Sequence, residues 1–121
     1  AVARMQHMKD AGVRIGLGTD LLGDLEDDQL TEFHIRGAVF SNHEILVQAT
    51  SGNAEIIGAK RELGVIRAGA RADLLVVEGD PLQDISAIAT PGRPPAMIVA
   101  RGKMLSDVPS GGSFGAGPAL P

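Results

Sequence analysis

Val13-Arg14-Ile15-Gly16-Leu17-Gly18-Thr19-Asp20 is the stretch whose reading decides the fold. At strand periodicity Val13, Ile15, Leu17 and Thr19 share one face, and Arg14, Gly16, Gly18 and Asp20 share the other. The first face is apolar and calls for covering helices. The second is small and ends in a carboxylate. Two glycines weaken an ordinary sheet strand by entropy, so they fit best where that face is crowded, as inside a closed barrel. Asp20 is then the sharpest candidate for chemistry, because sites of barrel and open α/β enzymes form at the carboxyl ends of strands. A carboxylate in a barrel mouth is costly unless a metal or another cation compensates it. The competing reading is structural: Asp after a strand commonly caps the turn that follows.

Helices flank this strand. Ala1 to Ala11 reads as a helix, with Val2, Met5 and Met8 in one stripe and Gly12 at its stop. From Leu21 to Asp28 the chain is acidic and loop-like, and a helix begins near Asp28 with Leu30, Phe33, His34, Gly37 and Ala38 at helical spacing. Ser41-Asn42-His43-Glu44 is a capping box, and Phe40 with Ile45 has the spacing of a hydrophobic staple. The helix after it carries Ile45, Leu46, Ala49, Ile56 and Ile57 on one face and ends at Gly58, with Ser51-Gly52 as a break point that can divide it in two. After Gly64 the texture becomes β-like. Leu63–Ile66, Leu74–Val77 and Met97–Ala100 are strand candidates, Gly79-Asp80-Pro81 is a turn, Asp84–Ala89 a single helical turn, and Arg101-Gly102-Lys103 a hairpin turn. The stretch from Ser106 to Pro121 holds four Gly and three Pro and reads as a flexible tail.

Composition narrows the function classes. The 121 residues suffice for one domain, and the formal net charge of −4 argues against a general nucleic-acid binder, which needs clustered basic charge. An apolar share of 44% argues against disorder throughout. The absence of cysteine excludes a disulfide scaffold, a thiolate zinc site and a cysteine nucleophile. No apolar run approaches the roughly 20 residues that span a bilayer, so no membrane role is expected. The chain opens at Ala1 with no targeting pattern and reads like the middle of something longer; a cytoplasmic setting fits these facts. With three Phe and neither Tyr nor Trp, the core must be built from Val, Ile, Leu, Met and Ala.

The motifs together resemble one family. Gly16-Leu17-Gly18-Thr19-Asp20 is similar to the eighth barrel strand of the metal-dependent amidohydrolases. Ala49-Thr50-Ser51-Gly52-Asn53-Ala54-Glu55-Ile56-Ile57-Gly58 is similar to that family's "ATxNAAxxLG" helix. Leu63 to Val77 is similar to its "LGxIxxGxxADLVV" run, and Gly79-Asp80-Pro81-Leu82 and Val99-Ala100-Arg101-Gly102-Lys103 complete the series. The resemblance covers Ala1 to about Leu105, and Asp20-Leu21-Leu22-Gly23 with Glu32-Phe33 points to the prolidase-like and imidazolonepropionase-related branch. It implies a (β/α)8 TIM barrel beside a small β-sandwich built from both chain ends. Residues 1–62 would hold strand eight and flanking helices of the barrel, residues 63–105 the sandwich strands, and residues 106–121 the tail.

The resemblance also implies a chemistry. One or two divalent metals, usually zinc, sit at the barrel mouth, and metal-activated water attacks an amide carbonyl. The residue matching Asp20 binds metal, takes the proton of that water and delivers it to the leaving amine. The loop after strand eight borders the substrate pocket, which makes Leu21, Leu22 and Asp24 candidate substrate contacts. A small molecule or dipeptide is the implied substrate, and a homo-oligomer is compatible with the pattern.

The departures from the family pattern are as informative. The His-x-His pair, the bridging lysine or glutamate and the two later histidines of the family have no counterpart here. His7, His34 and His43 lie in helical or capping contexts, and Lys9, Lys60 and Lys103 lack the strand context of a bridging lysine. The run Asp24, Glu26, Asp27 and Asp28 lacks the spacing of a calcium loop, and acidic residues before a helix favour its dipole. The expectation is therefore the carboxyl-terminal segment of an amidohydrolase hydrolysing a dipeptide or cyclic amide, needing its missing amino-terminal barrel segment and inactive alone. The alternatives are a stand-alone β-rich binding module and one subunit of a split enzyme.

Overall fold

The helix that follows Phe40 shows how local sequence sets this architecture. Ser41 Oγ accepts from the Glu44 N–H at 3.2 Å, and the Glu44 carboxylate accepts from the Ser41 N–H at 2.8 Å. Phe40 and Ile45, on either side of the box, are both buried in the core, as the staple spacing predicts. The structure, a computed structural model, describes residues 1–21 and 28–107. Its elements are α1 (Val2–Asp10), α2 (Thr31–Arg36), α3 (Asn42–Ala49), α4 (Ser51–Ile56), β1 (Leu74–Val76), α5 (Ser86–Ala89), β2 (Met97–Ala100) and β3 (Lys103–Asp107).

The core is helical. Met5, Phe40, Ile45 and Ile85 form its centre, with Met8, Ile15, Leu17, Phe33, Val39, Leu46 and Ile88 packed around them. It joins α1, the Val13–Thr19 segment, α2, α3 and the turn at α5. Lys9 closes one side: its ammonium donates to the Val39 carbonyl at 2.9 Å and to Glu44 at 3.1 Å, and lies 5.0 Å from the centre of the Phe40 ring. The helix run breaks at Thr50, whose φ of −125° and ψ of −102° separate α3 from α4 next to the expected Ser51-Gly52 break. Beyond α4 the chain folds back over this break. Gly64 has φ +66°, and a Cβ there would lie 2.5 Å from the Thr50 carbonyl, so only glycine lets the two backbones approach so closely.

The sheet is a three-stranded antiparallel meander, β1-β2-β3. Leu74 pairs with Val99, Leu75 with Ile98 and Val76 with Met97. Arg101 and Gly102 join β2 to β3 with φ of +51° and +77°. Left-handed backbone at both positions matches the right-handed twist of a two-residue hairpin. Asp73 Oδ1 accepts from the Arg101 N–H at 2.8 Å and the Ala72 carbonyl accepts from Gly102 at 2.9 Å, so the residues before β1 hold this turn.

As expected of an incomplete chain, the barrel itself is not formed by the described residues, which make a partial α/β arrangement of helices and a three-stranded sheet. Three expectations change. Val13–Thr19 is extended but belongs to no strand ladder, because a ladder needs a second strand and none lies beside it among the described residues. Leu63–Ile66 is a series of turns, forced by left-handed backbone at Arg61 and Gly64. β3 runs on to Asp107, two residues into the expected tail, and residues 108–121 lie outside the described part. Among the described residues no helix is long and apolar enough to cross a membrane.

Candidate active site at the end of the Val13–Thr19 segment

Asp20 stands where the extended segment ends. Its φ of +53° is left-handed, a conformation Asp tolerates better than most residues, and its side chain is exposed. Its neighbours Thr19 and Leu21 line an open cleft of about 340 Å³ with Asp28, Thr31, Glu32 and Ile35. Leu21, a candidate substrate contact, thus faces the cleft beside Asp20. Leu22 and Asp24, the other two candidates, lie outside the described residues.

Two layers of polar contacts hold this end of the segment. In the first, Asn53 of α4 bonds both backbone groups of Leu17: Nδ2 donates to the Leu17 carbonyl at 2.7 Å, and Oδ1 accepts from the Leu17 N–H at 3.0 Å. The Gln48 carbonyl at the end of α3 also receives the Leu17 N–H, at 3.3 Å. Gly16 lies against Asn53, and a Cβ at that position would overlap Asn53 Oδ1. Arg14 and Lys60 converge on Glu55 at 3.2 and 3.0 Å, and the two cations, Lys60 foremost, hold the Glu55 carboxyl below the usual carboxylate range.

In the second layer Arg36 is 5% exposed. Its Nε donates to Glu32 at 2.7 Å and its Nη1 donates to the Gln48 side chain at 2.6 Å. A buried guanidinium without an anion would be expensive, so Glu32 compensates its charge at the wall of the cleft. The chain of contacts therefore runs from cleft-lining Glu32 through Arg36 and Gln48 to Leu17, three residues before Asp20.

The other candidates for chemistry are accounted for by structure. His34 Nε2 lies 2.8 Å from the Ala89 carbonyl and joins α2 to α5, and His7 and His43 are exposed on helices. Lys9 and Lys60 are engaged with Glu44 and Glu55. Among the described residues no three His, Asp or Glu side chains converge to hold a metal. A catalytic zinc takes about three protein ligands, so Asp20 alone does not make a metal centre. Sequence reasoning missed Arg36, Gln48 and Asn53. Asn53 did carry a signal, since Asn inside a helix is a poor helix former and invites a reason outside the helix. Arg36 and Gln48 carried none.

Comparison with known proteins yields a consistent set of relatives. Residues 2–105 match the amidohydrolase family profile. A crystal structure of a prolidase complexed with N-methylphosphonate-L-proline superposes with a TM-score of 0.83 at 39% identity, covering 88% of this chain and 26% of that one. A crystal structure described as an amidohydrolase gives 0.84 at 36% identity, with 88% and 26% covered. The curated 5-methylthioadenosine/S-adenosylhomocysteine deaminase of Moorella thermoacetica is 29% identical over 123 residues, 86% of this chain and 29% of that protein. This chain spans less than a third of the length of each of these relatives.

Proposed function

The chain belongs to the amidohydrolase family, and from that premise we propose that it supplies the last barrel strand, and the carboxylate at its end, to a metal-dependent hydrolase that opens the C–N amide bond of a dipeptide or cyclic amide. Hydrolysis of C–N bonds is what its prolidase and deaminase relatives have in common by name. The prolidase-type reading is preferred because the relative crystallised with a proline-derived ligand is the more similar, 39% against 29%.

One observation supports this most. Asp20 ends a segment whose backbone is held by long-range contacts, and its neighbours Thr19 and Leu21 line a cleft. A carboxylate there can take a proton from water as the water oxygen adds to the substrate carbonyl. It can then give that proton to the nitrogen as the C–N bond breaks, so the group ends the cycle as it began. Leu21, Leu22 and Asp24 border the substrate in this reading. When bound, the zinc or other divalent metal implied by the family would lower the pKa of the attacking water. Asp20 would be one ligand toward that metal, and the remaining ligands would come from residues other than the described ones. The same reading makes the isolated chain inactive and places the parent in the cytoplasm. A protein supplied in two chains fits the same residues and differs in whether a His-x-His strand is encoded in frame upstream.

The test is Asp20→Asn in the full-length protein, assayed on Xaa-Pro dipeptides and cyclic amides. Loss of a positioned acid–base group should lower kcat by about 10²- to 10⁴-fold with the melting temperature unchanged. Turnover close to that of the parent in a folded variant would remove Asp20 from the reaction.

A further inference from the structure

The backbone of Leu17 is bonded in an unusual way. In an extended segment the N–H and C=O of one residue point to the same side, where a neighbouring strand normally takes both. Here one side chain bonds both, and the Gln48 carbonyl shares the N–H at 3.3 Å. Asn53 Nδ2 donates to the Leu17 carbonyl at 2.7 Å and Oδ1 accepts from the Leu17 N–H at 3.0 Å. A primary amide carries a donor and an acceptor side by side, so it serves as a one-residue stand-in for a strand. No hydroxyl or carboxylate side chain supplies both roles in that geometry at neutral pH.

The neighbouring residue bears the mark of this contact. A Cβ at Gly16 would overlap Asn53 Oδ1 and lie 3.1 Å from Ile56 Cδ1, so a side chain at Gly16 and the amide at Asn53 exclude each other. Asp20 follows Leu17 by three residues, about 10 Å of extended chain. Its left-handed backbone ends the extended run, so the segment before it carries Asp20 as a unit.

We propose that Asn53 is a positioning residue: its side-chain amide clamps the Leu17 peptide, fixes the placement of the Val13–Thr19 segment against α4, and so sets where Asp20 stands. Gly16 is the other half of the device, kept without a side chain so that the amide can close. The inference rests on the proposed role of Asp20 for its catalytic consequence but not for the clamp itself.

The experiment uses the full-length protein and separates the two. Hydrogen exchange at the Leu17 amide reads the clamp without reference to activity. Asn53→Leu removes both Asn53 hydrogen bonds at similar size, leaves the longer one to the Gln48 carbonyl, and should lower Leu17 protection about fivefold. The same variant should lower kcat by about 10- to 100-fold, as misplacement of a reacting group does, with KM within about twofold. Gly16→Ala should reproduce these effects, and Gly16→Ala/Asn53→Ala should be no worse than Asn53→Ala alone, because the clash and the clamp are one contact. Unchanged Leu17 protection in Asn53→Leu or an additive double variant would overturn the clamp, and a kcat within twofold of the parent, where Asp20→Asn is itself impaired, would overturn its part in placing Asp20. If Asn53→Leu fails to fold, Asn53→Asp serves, since it keeps the acceptor and loses the donor. Its kcat should then fall with Leu17 protection partly retained, and parental values for both would overturn the proposal. Asp20→Asn runs in parallel: full activity in that variant with lost Leu17 protection in Asn53→Leu would refute the catalytic reading and leave the clamp standing.

Discussion

Glu44 shows how much a single side chain connects. Its carboxylate accepts from the Ser41 N–H and from Lys9, and these contacts, the backbone one first, hold its pKa below the usual carboxylate range. A carboxyl whose pKa is lower folded than unfolded stabilises the fold above its unfolded pKa and loses that contribution as pH falls through the folded value. Two side chains more than a third exposed make the ion-pair part small, so most of the effect belongs to the cap. Ser41→Ala should cost about 1 kcal/mol at neutral pH in urea unfolding. The stability gap between the parent and Glu44→Gln should close as pH drops below the ordinary glutamate range, and a gap that persists in acid would refute the assignment. Both partners of this cap were legible, because Ser41 and Glu44 are three residues apart. Asp20 stands at the end of the patterned stretch, where the alternation put it. What lay beyond pattern was how the Leu17 backbone before it is held.

At the scale of elements, α2 and α3 are joined by a buried charge. Arg36 bridges Glu32 in its own helix and Gln48 in α3. Arg36→Met should strand the Glu32 carboxylate and lower stability by about 3 kcal/mol, measured by denaturant unfolding of the full-length protein. Arg36→Lys should recover only part, because an ammonium cannot present two divergent donors from one plane. An Arg36→Met variant as stable as the parent would show that the bridge contributes nothing net. Helical periodicity identified α2 but gave no reason to bury Arg36. An arginine on a helix is ordinarily a solvated residue, and only the arrival of Gln48 from α3 makes the inside tolerable. The Val13–Thr19 segment teaches the converse. Its alternation reads as a strand and does place Ile15 and Leu17 toward the helices, but Val13 is exposed and the Leu17 backbone bonds α3 and α4 in place of a neighbouring strand.

At the scale of the molecule, large apolar side chains stand in water. Ile66 is 90% exposed, Ile57 69%, Leu105 67% and Leu75 59%. Scattered exposed aliphatics are ordinary, but among the described residues they occur on both the helical part and the sheet. Residues 1–121 expressed alone should therefore bind a hydrophobic dye strongly and unfold with weak cooperativity. They should also hold zinc no more tightly than a few exposed carboxylates do, as read by titration calorimetry. Stoichiometric, tight zinc in that chain would contradict the ligand count.

The features determined by sequence alone are those whose physics is local. The Ser41 cap, the helix break beside Ser51-Gly52, the Arg101-Gly102 turn and the strands read at Leu74–Val77, one residue longer than β1, and at Met97–Ala100 all follow from residues within a few positions of one another. The tertiary structure decided the pairings that span the chain: Asn53 with Leu17 across 36 residues, Arg36 with Gln48, and His34 with Ala89 across 55. A polar side chain takes whichever partner the packing brings to it, and periodicity reports which face is apolar without saying what will lie against it.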